Sequence, residues 1–247
     1  MNGDELLQLS QTFNLELDRK KKEWNASFPW YPYGTLNNFV HLREGFNLHP
    51  LETLSSTKHV ADIGGADGDL AFFLQSLGYR VDIIDNASTN FNGLQGARTL
   101  IDILGVSKSV KLVELDIDEQ FALPEARYDL IFLLGILYHL KNPYYILEKL
   151  SYLSRNLWIS TRIMRFGPGG EPLHDIAVAY LLNPDESNND STNYWIFTER
   201  ALTRIVTRAG WKVTYYTTRG DTTTSNPNNM ERDERAFMLL SSTRAKC

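Results

Sequence analysis

The sequence has little of what disulfide and metal sites are made from. Its 247 residues include one cysteine, Cys247, and five histidines with no ligand spacing such as His-x-x-x-His. A disulfide or a thiolate metal site within one chain needs at least two cysteines. We therefore predict no internal disulfide and no protein-bound metal, and the cysteine content favours a reducing, cytoplasmic compartment.

The sequence also lacks an apolar run of about 18 residues and an N-terminal leader pattern, so we expect neither export nor a membrane span. The formal net charge is −5. Nucleic-acid phosphates are bound by clustered Lys and Arg, so this balance disfavours a broad nucleic-acid surface. The one basic cluster, residues 19–22, is predicted to be a solvated face or the C-terminal turn of a helix.

What is present is an α/β pattern, with 43% hydrophobic residues and 12% aromatics. From His59 onward, apolar runs and amphipathic stretches alternate. Strands are predicted at 59–63, 80–85, 110–116, 129–135, 156–162, 211–217 and 235–241, and helices at 68–77, 91–104, 143–153 and 198–209. This order predicts a doubly wound sheet.

The segments outside this pattern are predicted to shape a site. Residues 4–24 favour a helix, and residues 28–34, with two prolines among four aromatics, favour a lid over the site. Residues 163–197 are predicted to be an insertion outside the sheet. We predict an N-terminal helix and lid over 1–55 and a core domain over 56–247.

The most informative segment is Asp62-Ile63-Gly64-Gly65-Ala66-Asp67-Gly68, between a predicted strand and a predicted helix. Its small residues allow backbone N–H groups to approach a ligand closely. It lacks the G-x-G-x-x-G spacing of a dinucleotide site, which disfavours a pyrophosphate. The next strand ends in Asp85, whose carboxylate could accept hydrogen bonds from ribose hydroxyls.

This segment resembles motif I of class I S-adenosylmethionine (SAM)-dependent methyltransferases, usually written D/E-x-G-x-G-x-G, with Ala66 in place of one glycine. The resemblance implies a Rossmann-like, seven-stranded sheet whose last strand is antiparallel, with SAM as the cofactor. It implies that Asp116 and Ile117 frame the adenine. The implied cofactor contacts are Asp62, Gly64, Gly65, Ala66, Gly68, Asp85, Asn86, Asp116, Ile117 and Leu134.

A narrower resemblance rests on residues 135–143, on Trp30-Tyr31-Pro32-Tyr33 and on Asn193-Tyr194-Trp195. These are similar to the branch that contains the tRNA wobble-uridine carboxymethyltransferase. That resemblance implies that Tyr138 and Arg235 help to hold the donor's carboxylate, which makes carboxy-SAM a donor to consider. In that branch, a lysine before motif I pairs with the extra carboxylate of carboxy-SAM. This chain has no lysine at 40–48, and its net charge is negative. We therefore predict ordinary SAM and a small-molecule acceptor, with tRNA (carboxy)methyl transfer and a non-catalytic SAM-binding protein as alternatives.

His139, at the end of the fourth strand, is the predicted general base because imidazole titrates near neutral pH. A structural histidine that donates to the backbone is its alternative role. Tyr138 is predicted to line the methyl-donor pocket. Residues expected around the acceptor are Tyr31, Tyr33, Arg162, His174, Asn193 and Trp195. Exposed aromatics near the lid also fit a homodimer contact.

Overall fold

A computed structural model describes residues 1–187 and 189–245, so Cys247, on which the disulfide prediction rests, lies outside the described residues. The chain forms two compact units, Met1–Phe132 and a second one from Leu133 onward. The predicted boundary at residues 55 and 56 stays a prediction. In the part of the chain that is described, no helix combines the length and apolarity that a membrane span requires.

The first unit is built on parallel strands in the order β3-β2-β1-β4. The strands are β1 (His59–Ile63), β2 (Arg80–Asp85), β3 (Val110–Glu114) and β4 (Tyr128–Leu134), and β4 pairs with β1 through residues 130–132. The helices are α1 (Gly3–Glu23), α2 (Phe39–Leu48), α3 (Leu51–Leu54), α4 (Asp69–Ser76) and α5 (Gln95–Leu104). Because these strands are parallel, their carboxyl ends meet at one edge.

Helix α1 begins with a capping box, in which the Asn2 side chain accepts from the Glu5 N–H and the Glu5 side chain accepts from the Asn2 N–H. Its basic residues lie in the last turn, as predicted. The alternative of a solvated face is wrong for Lys21, which is buried. Lys21 is buried because carboxylates of α4 and of the preceding turn surround its ammonium group.

The first unit differs from the prediction at the start of one helix and in two helices that were not predicted. Helix α5 begins at Gln95 rather than residue 91, because Gly93 and Leu94 adopt left-handed backbone conformations. The Asn90 side chain stabilises this turn by accepting from the Leu94 N–H at 3.0 Å. Residues 39–48 and 51–54, for which no element was predicted, form α2 and α3.

The second unit contains α6 (Pro143–Leu153), α7 (Glu199–Arg208), β5 (Ser154–Ile163), β6 (Ala179–Leu181), β7 (Trp195–Phe197), β8 (Trp211–Gly220) and β9 (Glu234–Ser242). Strand β9 lies antiparallel to both β5 and β8, so the prediction that the last strand is antiparallel is confirmed. The buried side chains of Trp158, Trp211 and Phe237 belong to its core.

The prediction that residues 163–197 lie outside the sheet is wrong at two places. Strand β7 pairs with β5 in parallel through Ile163 and Phe197, and β6 pairs with β7. Met164, Leu182 and Ile196 form a small buried cluster beneath this hairpin. That cluster gives the segment an apolar face of its own, which a reading of its polar composition does not detect.

Candidate functional site

The glycine turn leaves β1 with three residues in the left-handed region, Gly64, Ala66 and Gly68. At Gly65 a Cβ atom would lie 2.9 Å from Asp62 Oδ2, and at Gly68 it would lie 2.7 Å from Ile83 Cδ1. A side chain at either position would therefore force a neighbouring side chain to move, and at Gly68, where φ is 88°, its backbone would also be strained. Gly68 is also the N-cap of α4, and it supplies no side-chain cap to that helix.

Asp85 connects the end of β2 to the glycine turn. Its Oδ2 accepts from the Ala66 N–H and from Asn90 Nδ2, both at 3.0 Å, and its Oδ1 accepts from the Asn86 N–H at 2.8 Å. Burial raises the pKa of Asp85, whereas these hydrogen bonds act in the opposite direction. The carboxylate thus has a fixed orientation at the carboxyl edge of the strands.

Asp62 lies on β1, just before the turn, and its side chain is buried. Burial raises its pKa to about 7, and the neighbouring carboxylates of Asp85 and Asp69 contribute to the rise. Its Oδ2 is buried and has no hydrogen-bond partner among the described residues. A buried carboxylate oxygen without a partner is costly unless another group satisfies it.

Asp67 anchors the aromatic segment 28–34 to the turn. Its carboxylate accepts from the Tyr31 N–H at 2.7 Å and from Asn92 Nδ2 at 2.8 Å, and that amide also donates to the Pro29 carbonyl at 3.2 Å. Lys21 Nζ lies 3.7 Å from Asp67 and 2.7 Å from Asp69. The segment adopts no helix or strand, in agreement with the sequence.

Other predicted cofactor residues lie at the ends of their strands. Asn86 Nδ2 donates to Asp116 Oδ2 at 3.0 Å, which connects the segments that follow β2 and β3. Ile117 is buried beside Asp116. Leu134 is the last residue of β4. The structure thus brings together all the predicted cofactor residues of the first unit at one edge.

The predicted acceptor tyrosines of the first unit are neighbours. The ring of Tyr31 lies edge-to-face with the ring of Tyr33, at a centroid distance of 5.6 Å, and with that of Phe91, at 6.1 Å. Tyr33 and Phe91 are exposed. Phe91, which the sequence analysis did not single out, therefore extends the aromatic cluster.

In the second unit, Arg162 and Arg235 lie directly opposite each other on β5 and β9. The Asp233 carboxylate binds both guanidinium groups, Arg162 through Nε and Arg235 through Nε at 3.1 Å. Arg235 also lies over the Tyr138 ring, 5.6 Å from its centroid, with Nη1 3.5 Å from the hydroxyl. Directly opposed like charges are unfavourable, so Asp233 is needed to hold this pair.

His139 binds the polar segment that precedes β7. Its Nδ1 lies 3.0 Å from both the backbone oxygen and Oγ1 of Thr192. The Thr192 hydroxyl donates to Asp190 Oδ1 at 2.6 Å. Burial lowers the pKa of His139, Thr192 and Asp190 oppose this change, and the Arg235 charge adds to it.

The remaining predicted acceptor residues divide into two groups. Asn193 is buried, donates to the Ser187 carbonyl at 3.2 Å and adjoins Thr192, while Ser187 binds Arg162. Trp195 lies on β7 and donates from Nε1 to the Lys141 carbonyl at 3.4 Å. His174 is instead exposed and pairs with Asp175 at 3.0 Å, so none of its described contacts joins it to the Arg162 group.

One group of side chains in the described residues has distances that could suit a metal, namely His59, Asp82 and Glu125. The Arg80 guanidinium lies 2.9 Å from His59 Nδ1 and 3.5 Å from Glu125, at the amino ends of β1 and β2. A cation therefore already balances this group. The prediction that the protein needs no metal stays a prediction.

Several residues of these clusters were not predicted, namely Lys21, Asn90, Asn92, Ser187, Asp190, Thr192 and Asp233. Lys21 and Asp69 are 48 positions apart, and Arg162 and Asp233 are 71 apart. No local spacing signals such pairs. The only available indication was the run of polar residues before Asn193, which marks a loop without assigning roles.

The methyltransferase domain family matches residues 39–216. No curated protein is similar in sequence at a significant level. Among solved structures, the N-terminal domain of EvdMO1 with S-adenosylhomocysteine (SAH) bound is similar at a TM-score of 0.58. The identity is 15%, over 92% of this chain and 95% of that one.

Two further structures show how widely this fold is used. The Burkholderia thailandensis 1,6-didemethyltoxoflavin-N1-methyltransferase, with its acceptor and SAH bound, is 18% identical over 84% of this chain and 86% of that chain, at a TM-score of 0.51. The [4+2]-cyclase SpnF is 10% identical over 96% of both chains, at a TM-score of 0.57. At such identities, the similarity concerns the fold.

The family match extends from α2, through the glycine turn and the predicted strand tips, into β8. The solved structures agree with the α/β, Rossmann-like fold predicted from the sequence. The tRNA branch of the narrower resemblance receives no such support. The chain belongs to the methyltransferase domain family.

Proposed function

We propose that the protein transfers the methyl group of SAM to a small-molecule acceptor. The observation that carries this proposal is the charge around the glycine turn. Four carboxyl side chains surround it, those of Asp62, Asp67, Asp69 and Asp85. Among the partners described for them, only Lys21 is a cation. A positively charged sulfonium donor suits such a site, whereas a pyrophosphate would be repelled.

The residues also fit the donor in detail. The unpartnered Asp62 Oδ2 would accept a hydrogen bond from the donor's ammonium group, and Asp85 would accept from the ribose hydroxyls. A Cβ atom at Gly65 would lie 2.9 Å from Asp62 Oδ2, so the absence of a side chain there leaves space beside this buried carboxylate. The SAH bound to EvdMO1 and to the Burkholderia enzyme supports the same donor.

SAM supplies a methyl group on a positively charged sulfur, which a nucleophile displaces in line. The protein's part in such a reaction is to bind, orient and exclude water. In the first unit, Asp85 and the glycine turn would hold the donor, while Asp67 positions the aromatic segment beside that turn. Tyr31, Tyr33 and Phe91 would then contribute a rim for the acceptor.

A small acceptor fits the overall charge better than a nucleic acid. The net charge of −5 gives the protein no general attraction for phosphate backbones. The Burkholderia enzyme has 1,6-didemethyltoxoflavin bound together with SAH. The similarity to a cyclase, however, means that the fold alone cannot support the reaction. The proposal therefore requires a direct test.

Calorimetric titration with SAM and SAH provides that test. We expect wild type to bind both and Asp85→Ala to lose 10- to 150-fold in affinity, since a charge-assisted hydrogen bond contributes roughly 1.5–3 kcal/mol. Asp102→Asn, an exposed acid on α5, is the matched control and should bind as wild type does. Absence of binding by folded wild type, or unchanged affinity in Asp85→Ala, would refute the donor assignment.

Carboxymethyl transfer to a tRNA wobble uridine is a second proposal. The contact of Arg235 with Tyr138 favours it, because the narrower resemblance implies that these residues help to hold the carboxylate of the donor, with carboxy-SAM as the donor to consider. Mass spectrometry of the small molecules released from denatured protein distinguishes the two. Carboxy-SAM, together with a salt-sensitive tRNA shift, would favour the second proposal, whereas SAM or SAH alone would favour the first.

A further inference from the structure

We infer that Asn90 binds the donor's ribose together with Asp85, and that it couples donor binding to the aromatic segment 28–34 through Asn92. This role deepens the proposed function and rests on it, because the ligand is a nucleoside with free ribose hydroxyl groups. Asn90 becomes a binding residue and Asn92 a positioning residue. All the residues involved lie in the first unit.

Asp85 has too few open acceptor positions to bind both ribose hydroxyl groups by itself. A carboxylate offers about four such positions, shared between its two oxygens. Oδ2 already accepts from the Ala66 N–H and from Asn90 Nδ2, both at 3.0 Å, and Oδ1 accepts from the Asn86 N–H at 2.8 Å. These donors leave one position, on Oδ1. The second hydroxyl group must therefore replace a donor on Oδ2.

Asn90 is the donor that can give way. The other donor to Oδ2 is the backbone N–H of Ala66, which cannot leave unless the glycine turn moves. Asn90 donates instead through a side chain, and both Asn90 and Asp85 are only partly buried, so a ligand can reach them. When a hydroxyl group donates to Oδ2 in place of Asn90, the oxygen of that hydroxyl can accept from Asn90 Nδ2. Both side chains then bind the ribose.

The orientation of the Asn90 amide is fixed by two backbone groups. Its Oδ1 accepts from the Asn92 N–H at 3.1 Å and from the Leu94 N–H at 3.0 Å. Because a backbone N–H can only donate, the atom that faces these groups must be the oxygen, and Nδ2 is directed to Asp85. The same two bonds hold the turn at residues 90–94. A ligand that binds Asn90 Nδ2 therefore stabilises this turn.

Asn92 connects the turn to the aromatic segment 28–34. Its buried side chain donates from Nδ2 to the Pro29 carbonyl at 3.2 Å and to the Asp67 carboxylate at 2.8 Å, and its Oδ1 accepts from the Gly96 N–H at 3.2 Å. At Gly96 a Cβ atom would lie 2.0 Å from Asp67 Oδ1, so helix α5 approaches this carboxylate as closely as glycine allows. The segment is thus held by a residue that the turn positions.

Donor binding and the order of the aromatic segment are linked by these contacts. A donor that uses Asn90 binds the protein in which the turn 90–94 is formed, and a ligand shifts the equilibrium toward the state that it binds. The formed turn places Asn92 against the segment. The donor should therefore suppress local opening of residues 28–34. Because such coupling is reciprocal, loss of the Asn92 contact should also weaken donor binding.

NMR of wild type with ¹⁵N-labelled asparagine tests the ribose contact directly. The side-chain amide signals of Asn90 are assigned by their loss in Asn90→Ala. With SAH bound, we expect nuclear Overhauser effects between the Asn90 amide protons and the ribose protons. The side-chain amide of Asn25, which is exposed just beyond α1, is the control and should show none. Absence of the effect at Asn90 in the SAH complex would overturn its assignment as a binding residue.

Hydrogen exchange followed by mass spectrometry tests the coupling. Saturating SAH should slow exchange within residues 28–34 of wild type by roughly 5- to 150-fold. In Asn92→Ala, SAH should bind more weakly and, at saturation, leave exchange in this segment unchanged. Thr89→Ala, at the exposed position before Asn90, is the control and should behave as wild type does.

The outcomes separate this role from the proposed function. If SAH binds wild type but does not slow exchange in 28–34, or slows it equally in Asn92→Ala, the coupling is refuted and the donor assignment stands. If folded wild type does not bind SAH, the proposed function itself is refuted. The measurements on wild type are decisive even if a variant does not fold.

Discussion

Asp67 accepts a hydrogen bond of 2.7 Å from the backbone N–H of Tyr31, 36 positions earlier in the chain. This bond joins the aromatic segment 28–34 to the glycine turn. Asp67→Asn would replace one carboxylate oxygen with an amide group that donates. The single acceptor oxygen that remains cannot bind both the Tyr31 N–H and the Asn92 side-chain amide. We expect faster amide exchange and earlier proteolysis within residues 28–34, and weaker acceptor binding, while the melting temperature falls less than in Lys21→Met.

The control for this change is Asp102→Asn, which removes an exposed carboxylate from α5. If faster amide exchange in Asp67→Asn is confined to the glycine turn, and residues 28–34 stay as protected as in wild type, the anchoring role of Asp67 is contradicted.

Lys21 is expected to be essential for the stability of the first unit. Its ammonium group lies 2.7 Å from Asp69 and 3.7 Å from Asp67, all three buried. Lys21→Met would leave two buried carboxylates without their cation, which costs about 3–5 kcal/mol. Urea unfolding followed by tryptophan fluorescence measures this loss. Lys22→Met, at the exposed neighbouring position, should change the free energy of unfolding by less than about 0.5 kcal/mol.

Asp62 makes the stability and the donor affinity depend on pH. Its pKa rises from 3.8 to about 7 on folding. Its contribution to the free energy of unfolding is therefore complete below pH 4 and is lost as the pH rises toward 7. Ionisation of such a group costs on the order of 4 kcal/mol. Asp62→Asn should therefore gain stability relative to wild type between pH 4 and 7, with a constant difference above 7.

The same ionisation should favour a cationic donor. We expect the affinity for SAM to rise between pH 6 and 8 in wild type, with proton release detectable by calorimetry in buffers of different ionisation enthalpy. Asp62→Asn should abolish this dependence. A SAM affinity that is flat over this range in wild type would show that Asp62 does not sense the donor's charge.

Substitution should weaken donor binding at one position of the glycine turn and leave it unchanged at the next. In Gly65→Ala, a Cβ atom 2.9 Å from Asp62 Oδ2 and 3.1 Å from Ile83 Cγ2 would displace the turn, at a cost of about 1–3 kcal/mol in donor binding. Ala66→Gly is the matched variant. Ala66 has φ of 52°, a conformation that glycine adopts without strain, so this variant should bind SAM as well as wild type. Equal losses in both would contradict the steric explanation.

The sequence was sufficient to predict the bounds of the elements whose apolar pattern is continuous. Strand β1 and helix α6 have their predicted bounds because a buried run between polar turns marks both ends. Helix α5 was predicted too long, because the left-handed conformation of Leu94 depends on a contact with Asn90. Short strands β6 and β7 depend on the apolar cluster that they cover, and no periodicity marks three residues.

The residues of the candidate site also fall into two groups, those that the sequence could locate and those that it could not. The acids at strand ends could be located because the topology of parallel strands brings their tips to one edge. The partners that set their charge state, such as Lys21 for Asp69, come from distant parts of the chain. The contact of His139 with Thr192 depends on the position of one backbone oxygen, which residue types do not specify.

The missing side-chain cap at the start of α4 has a practical consequence. A helix whose first turn receives no cap from its own N-cap residue gains more from a ligand that supplies one. The melting temperature of this protein should therefore report donor occupancy, rising with the logarithm of ligand concentration. With SAH at saturation, any further rise caused by an added compound identifies that compound as a ligand. Thermal-shift screening could thus search for the acceptor before any methylated product has been seen.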